Sequence, residues 1–149
     1  MNNFQEVAMF LRNLYTVAEI KIMIIGSCVV ACFAAVVGGV DKGIQALLVL
    51  VAIDYLTGMA AGYKTGVLSS SRGFKGVIKK LVIFLVVGFA NLLDCGMGLN
   101  MLKSMAVFAY SANEGLSIIE NIDRMGYREY IPFFLRDKVE SLRKERGVQ

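Results

Sequence analysis

Long apolar runs separated by short polar segments dominate the pattern along the chain. The first run contains no charged residue, and its length is close to the about 20 residues that a helix needs to cross a bilayer. The four runs cover residues 22–40, 44–63, 81–99 and 105–119. The pattern predicts an all-α membrane protein, with four transmembrane helices in a membrane domain over residues 22–119.

The fourth run is the shortest, and it is polar on one side because it contains Tyr110, Asn113, Glu114 and Ser117. It is barely long enough to cross a bilayer. A re-entrant or interfacial segment is therefore the alternative interpretation for residues 105–119.

Two amphipathic segments flank the membrane domain. Residues 1–21 carry apolar side chains at helical spacing, which predicts an amphipathic helix too polar to span. This helix lies at the membrane interface, or it packs on its own bundle or a neighbouring subunit. Residues 120–149 are charged and basic, and Pro132 suits the first turn of a helix. We expect a basic cytoplasmic C-terminal helix in that tail.

Composition favours the same class of protein. Hydrophobic residues make up 56% of the 149 residues, the mean hydropathy is +0.60, and only 19% of the residues are charged, against about 25% in soluble domains. The net charge of +4 fits cytoplasmic loops beside anionic lipid better than nucleic-acid binding. The first apolar run is too long for a cleaved signal peptide, so we expect it to remain as a span.

The distribution of Lys and Arg predicts the orientation. With four spans, one side of the membrane receives two cations in the N-terminal segment, five in the loop over residues 64–80 and seven in the tail. The other side receives only Lys42 and Lys103. The positive-inside rule then places both termini in the cytoplasm.

Three carboxylates lie at the predicted membrane depth: Asp54, Asp94 and Glu114. A charge there is costly, so such residues face a helix bundle or water and often have a function. No Lys or Arg lies inside a predicted span to neutralise them. Protonated acids hydrogen-bonded to neighbouring helices, a water-filled path through an oligomer, and proton carriage all satisfy this pattern. Together with small and polar residues, these acids form a predicted helix-interface or pore-facing set: Asp54, Thr57, Gly58, Gly62, Asn91, Asp94, Glu114 and Ser117.

The segment over residues 64–80 is basic, with no acid, and its serines and glycines predict a loop. A solvated cytoplasmic loop touching anionic headgroups is one interpretation, and a regulatory contact is the other. Both rest on the same cations: Lys64, Arg72, Lys75, Lys79 and Lys80.

Nothing in the sequence indicates an enzyme. There is no histidine and no catalytic motif, so we expect no cofactor. The thiols of Cys28, Cys32 and Cys95 are scattered among aliphatic residues, which disfavours a metal site and indicates small packing residues. Helices with small-residue faces and polar stripes suit a protomer that assembles with copies of itself, with the assembly forming a pore.

The chain resembles the toxin-secretion/phage-lysis holin family from about Asp54 to Leu142. The resemblance rests on the order of several short motifs: Asp54-x-x-Thr57-Gly58, Lys75-Gly76-x-x-Lys79-Lys80, Asp94, Glu114-x-x-Ser117-Ile118-x-Glu120-Asn121, and a tail with Gly126, Pro132 and Leu135. The family tail usually has two prolines soon after its glycine, whereas this tail has one.

This resemblance implies a holin that oligomerises in the bacterial cytoplasmic membrane and forms lesions. Its partners would be other copies, the bilayer and an antiholin, and the released cargo would be a phage endolysin or a toxin. The resemblance leaves open whether the chain is a holin or an inhibitory antiholin. Two alternatives come from the residues alone. One is a proton- or ion-conducting channel or accessory subunit that uses the buried acids, and the other is a scaffold whose basic tail recruits a soluble partner.

Overall fold

A computed structural model describes residues 5–7, 9–10, 16–137 and 141 of the chain, and all the regular structure in this part is helical. A 3-10 turn at Arg128–Tyr130 and helical residues 133–137 follow the last long helix. The all-α class is therefore confirmed. The four long helices are α1 (Val17–Val37), α2 (Lys42–Lys64), α3 (Ser70–Met97) and α4 (Leu102–Arg124).

Helix α1 begins five residues before the predicted start of the first span. Thr16 and Glu19 form a reciprocal cap, in which the Thr16 N–H donates to Glu19 Oε2 at 2.6 Å and the Glu19 N–H donates to Thr16 Oγ1 at 3.3 Å. This T-x-x-E signature marks a helix start. Of the predicted amphipathic helix over 1–21, residues 5–7, 9–10 and 17–21 are helical, whereas Phe4, Ala8, Leu11, Leu14 and Tyr15 of its apolar side lie outside the described residues.

The loop after α2 is shorter than the predicted loop over residues 64–80. Helix α3 begins at Ser70, because Ser69 takes an extended backbone conformation and its Oγ accepts the Arg72 N–H. The loop prediction for residues 70–80 is therefore wrong. The serine run contains the cap of a helix of 28 residues, and the lysines that follow belong to that helix.

Helix α4 is also longer than the predicted 105–119. It continues through the first charged residues of the predicted tail and ends at Arg124, before Gly126, whose φ of +85° turns the chain. Of the predicted C-terminal helix, residues 133–137 are helical, and most of the rest lies outside the described residues.

Three of the four helices are long and apolar enough to cross a membrane: Val17–Val37, Lys42–Lys64 and Ser70–Met97. Helix α4 has the length but not the composition. By this criterion the chain is a multi-pass membrane protein with three candidate spans in its described part, one fewer than expected.

The chain divides after Val36 into two compact units. In the second unit, α4 packs against both α2 and α3, which make few contacts with each other. Asp41, at the start of α2, pairs with Lys103 at the start of α4, and Lys64, at the end of α2, reaches the Met125 carbonyl beyond the end of α4. Helices α2 and α4 are therefore parallel over their whole length.

The apolar core of this unit is small. Ile44, Leu47 and Val87 are fully buried between the three helices, while large side chains such as Leu85 and Phe108 are exposed. Cys28, Cys32 and Cys95 are exposed in the single chain, so their role as small packing residues stays a prediction.

Candidate functional site

Lys80 lies between two buried carboxylates and forms ion pairs with both. Its Nζ donates to Asp54 Oδ2 at 2.5 Å and to Glu114 Oε2. Glu114 is only 2% exposed and Asp54 8%. Lys80 belongs to α3, Asp54 to α2 and Glu114 to α4. The expectation that no cation neutralises these acids is therefore wrong.

The helical repeat explains how these charges come together. On α4, Glu114 follows buried Val107 by seven residues, which is two turns and therefore the same face. On α3, Lys80 precedes buried Ile83 and Val87 by three and seven residues. Each charged residue thus sits on the face that its own helix turns toward the other two.

Asn121 covers the other side of Asp54. Its Nδ2 donates to Asp54 Oδ1 at 3.1 Å and lies 3.3 Å from Thr57 Oγ1. The Thr57 hydroxyl itself donates to the Ile53 carbonyl at 2.9 Å. We call the four residues Asp54, Lys80, Glu114 and Asn121 the central cluster.

The central cluster joins three helices through side chains alone. Two carboxylates share one ammonium, so removal of Lys80 would leave both carboxylates buried without a counter-charge, which is costly. The cluster contains no nucleophile positioned beside a base. In the part of the chain that the structure describes, no group of three or more His, Cys, Asp or Glu residues is placed to hold a metal ion.

Asp94 has a different role from the other two acids. Its carboxylate accepts three backbone N–H groups at the start of α4, from Met101 at 3.3 Å, Leu102 at 3.0 Å and Lys103 at 2.8 Å. Helix N-termini have unsatisfied N–H groups and a partial positive charge, so a carboxylate stabilises them. A residue of α3 thus caps α4, whose own preceding residue, Met101, makes no side-chain cap.

Lys103 ties this cap to the start of α2. Its Nζ donates to Asp41 Oδ2 at 2.7 Å and to the Gly38 carbonyl at 3.1 Å, while Asp41 Oδ1 accepts the Ile44 N–H at 2.9 Å. The hydrogen bond from Lys103, with help from the Ile44 N–H, holds the pKa of Asp41 below its ordinary value of 3.8. We call Asp41, Asp94 and Lys103 the end cluster.

The other members of the predicted interface set lie at separate places. Gly58 faces the Asn121 side chain, and Gly62 lies beside Leu68 in the loop after α2. Asn91 lies so close to Gly38 that a side chain at that glycine would overlap it. Ser117 lies with Asp54 and Glu114 on the groove described below. Their role in an interface between copies or in a pore stays a prediction.

The predicted basic set also separates. Lys64 donates to the Met125 carbonyl and lies 4.6 Å from the centre of the Tyr127 ring, so it fastens the end of α2 to the turn after α4. Arg72 Nη1 donates to the Val67 carbonyl at 2.7 Å. Lys75 and Lys79 are exposed on α3, and only Lys80 enters the interior.

Sequence reasoning missed the partners of the acids rather than the acids. Lys80 is the last cation before an apolar run, and its spacing to Ile83 and Val87 signals that it faces inward. Asn121 follows Glu114 by two helical turns, so it lies on the same face of the helix, and this spacing also signals that it faces inward. No local pattern signals that Asp94 caps a different helix.

An open groove of about 800 Å³ lies beside the central cluster, between α2 and α3, with α4 along its third side. Asp54, Lys80 and Glu114 line its inner part. Arg72, Lys79 and Arg124 also line it. It exists because α2 and α3 make few direct contacts and are held apart by α4 and by Tyr55, whose ring lies against Gly76.

Comparison with known proteins identifies the family. The profile of the bacteriophage holin family matches residues 31–144, a stretch that includes both clusters. The chain belongs to this family. The chain is also 39% identical over 102 residues to a probable holin of Bacillus phage phi105, a match that covers 68% of this chain and 74% of the phage protein.

Bacterial proteins match over similar lengths. The protein YqxH of Bacillus subtilis is 39% identical over 110 residues, which cover 73% of this chain and 76% of YqxH. A protein of Listeria monocytogenes is 36% identical over 110 residues, which cover 73% of this chain and 77% of that protein. No solved structure matches. The family indicates a membrane protein without enzymatic activity, and the resemblance inferred from the motifs is confirmed.

Proposed function

We propose that this holin-family chain assembles with copies of itself in the bacterial cytoplasmic membrane and forms lesions that release an endolysin or a toxin. The family match over residues 31–144 carries this proposal, and the similarity to a probable phage holin supports it. The three long apolar helices supply the membrane location that such a role requires.

The proposal includes α4 as a fourth span. Helix α4 has 23 residues, so it is about 34 Å long at ~1.5 Å per residue, and it lies parallel to α2 from end to end. Its polarity is inverted relative to a soluble helix, because Glu114 is 2% exposed whereas Phe108 is 76% exposed. A bilayer around α4 would meet apolar side chains, while the charges lie among neighbouring helices.

The distribution of charge supports cytoplasmic termini. In the second unit, Lys42 and Lys103 lie at the end where α2 and α4 begin. Lys64, Arg72, Arg124 and other cations lie toward the opposite end, where α2 and α4 finish. The positive-inside rule assigns this more basic end to the cytoplasm.

The pairing within one chain changes which surfaces remain for assembly. Asp54 and Glu114 share Lys80 as an ion-pair partner in their own protomer, so each has a cationic partner without contact with another copy. The small side chains that repeat every fourth residue along the first span offer a close-packing face instead. They are Ser27, Ala31 and Ala35, whereas Gly39, at the same spacing, follows the end of the helix.

Inducible expression in bacteria with a co-expressed endolysin tests the function. We expect culture turbidity to fall abruptly, and only when both proteins are present. A cytoplasmic reporter protein should appear in the medium at the same time. Proton leakage without escape of the reporter would replace the holin proposal with the ion-channel alternative. A delay in lysis by a separate holin, with no lysis by this chain, would assign it as an antiholin.

Maleimide labelling tests the topology independently of lysis. In a chain with Cys28, Cys32 and Cys95 changed to serine, a cysteine at Lys75 should react only when the reagent reaches the cytoplasm. A cysteine at Lys42 should react with an impermeant reagent from outside. The reverse result would overturn the orientation. A cysteine at Tyr127, after α4, should react from the cytoplasmic side, and reaction from the same side as the cysteine at residue 42 would overturn the fourth span.

A further inference from the structure

The groove between α2 and α3 has an apolar section that the central cluster does not use. Several of the side chains that line it are aliphatic and partly exposed, with exposed fractions from 36% to 54%. They are Met59, Val67, Leu68, Ile78 and Val82. The volume of about 800 Å³ is within the range of binding sites for small ligands.

Cations line the same groove. Arg72 comes from the first turn of α3, Lys79 from two turns further along it, and Arg124 from the end of α4. Arg72 is held by its hydrogen bond to Val67, and its guanidinium has further N–H groups to donate. Among the described residues that line the groove, the acids are Asp54 and Glu114, and both are paired with Lys80.

We propose that this groove binds an anionic phospholipid of the cytoplasmic leaflet. One acyl chain lies along the aliphatic side chains between α2 and α3, and the phosphate lies beside Arg72 and Arg124, with Lys79 reaching toward it along its aliphatic stem. The site rests on the membrane location and orientation given under the proposed function.

Charge complementarity favours a lipid over a second copy as the occupant. Copies inserted in one orientation would present the same basic end at the same depth, so the cations around one groove would meet those of the next chain. A phospholipid brings the opposite charge and an apolar chain together. Each Lys or Arg near such a surface contributes about 1 kcal/mol, or about fivefold in binding.

Fluorescence quenching by brominated lipid tests the site. The chain has no tryptophan of its own, so a single introduced tryptophan serves as the reporter. Val82→Trp places a reporter in the groove, and Leu85→Trp places one on an exposed face of the same helix, outside the groove. The full chain is reconstituted in phosphatidylcholine vesicles with increasing brominated phosphatidylglycerol. We expect the reporter at 82 to be quenched at a severalfold lower mole fraction than the reporter at 85.

Lys79 and Lys75 provide a matched pair of substitutions, since both are exposed lysines on α3 and only Lys79 lines the groove. Lys79→Gln should lower the preference for phosphatidylglycerol by about fivefold, whereas Lys75→Gln should leave it unchanged. Equal quenching of the two reporters, or equal effects of the two substitutions, would overturn the site. Quenching at 82 that depends on protein density instead of lipid composition would assign the groove to a second copy.

Native mass spectrometry of the chain with no introduced tryptophan provides a second measurement. Retention of phosphatidylglycerol by the unchanged chain and by Lys75→Gln, with loss from Lys79→Gln, supports the site, and equal retention by all three contradicts it. Competition by inorganic phosphate alone would show that the groove holds the phosphate group without the acyl chain. Neither readout depends on lysis, so the lipid site and the lesion-forming function can fail separately.

Discussion

The central cluster and the end cluster contain the same charged groups, two carboxylates and one lysine each, but they use them in different ways. In the end cluster, Asp94 binds three backbone N–H groups, and Asp41 binds one N–H group and Lys103. In the central cluster, every contact of the Asp54 and Glu114 carboxylates described above comes from a side chain, either Lys80 or Asn121.

This difference separates local from tertiary stabilisation. A carboxylate on a helix N-terminus is stabilised by backbone groups that no substitution of a side chain removes. A buried carboxylate paired with a lysine depends entirely on that one side chain and on the packing of the helix that carries it. The central cluster should therefore be much more sensitive to substitution than the end cluster.

Removal of the Lys80 charge should have the largest effect. Lys80→Met keeps the length of the side chain but leaves Asp54 and Glu114 buried without a cation, which should destabilise the chain by about 3–5 kcal/mol. Thermal unfolding of the detergent-purified chain measures the loss. Lys75→Met, an exposed change on the same helix, should stay within about 0.5 kcal/mol of the unchanged chain.

A neutral version of the cluster separates charge from packing. The combination of Lys80→Met with Asp54→Asn and Glu114→Gln removes all three charges, so it should recover most of the stability lost in Lys80→Met. If the triple variant is no more stable than the single one, the loss comes from packing. If Lys80→Met unfolds at the same temperature as Lys75→Met, the central cluster is not the more sensitive one, and the comparison between the clusters is wrong.

Loss of the Asp94 cap should have a smaller and more local effect. Asp94→Ala removes the acceptor for three N–H groups and should cost about 1–2 kcal/mol, whereas Asp94→Asn retains an oxygen and should cost less. Hydrogen exchange should accelerate in residues 101–105. Cys95→Ser, an exposed neighbour, serves as the control, and equal exchange in all variants would exclude the capping role.

The ion pair of Asp41 and Lys103 should contribute less still. Lys103 lowers the pKa of Asp41, so its contribution to folding is present above pH 3.8 and is lost as the pH falls through the lowered folded pKa. Lys103→Gln should raise the pKa of Asp41 toward 3.8, which carbon NMR of the Asp41 carboxyl in micelles would measure. The cost in stability should be under about 1 kcal/mol, because the Asp41 side chain is 55% exposed.

Lys42→Gln is the control for this measurement, because Lys42 is an exposed neighbour of Asp41 at the first position of α2. We expect it to shift the pKa of Asp41 less than Lys103→Gln does. Equal shifts in the two variants would indicate that general surface charge, and not the Lys103 contact, lowers that pKa.

The sequence predicted helices and buried acids well, because both leave local signals. Apolar runs identified the centres of α1, α2 and α3, and the acids stood out against aliphatic neighbours. Boundaries were missed where a polar segment continued as a helix, as in residues 70–80 of α3. There the backbone becomes helical at Ser70, well before the apolar run begins at Leu81, and the serine cap at residue 69 was the better signal.

Pairing could not be predicted in the same way. Lys80 is 26 residues from Asp54 and 34 from Glu114, so their contact depends on how three helices pack. Asp94 and the start of α4 meet only because a short turn reverses the chain between α3 and α4. These contacts belong to tertiary structure, and a single sequence carries little information about them.

Substitution of Gly58 should have the smallest effect, and it tests whether this member of the predicted interface set contacts another copy. A Cβ atom at Gly58 would lie 3.4 Å from Asn121 Nδ2, which is ordinary van der Waals contact, and the glycine faces a side chain, not another backbone. Gly58→Ala should therefore be close to neutral, since the about 0.4–1 kcal/mol gained from a less flexible unfolded chain offsets slight crowding. Gly58→Leu should displace Asn121 from Asp54 and lower the unfolding temperature clearly. If Gly58→Ala instead weakens self-association in crosslinking experiments while its unfolding temperature is unchanged, then Gly58 contacts another copy, and the sensitivity of the central cluster extends to the assembled protein.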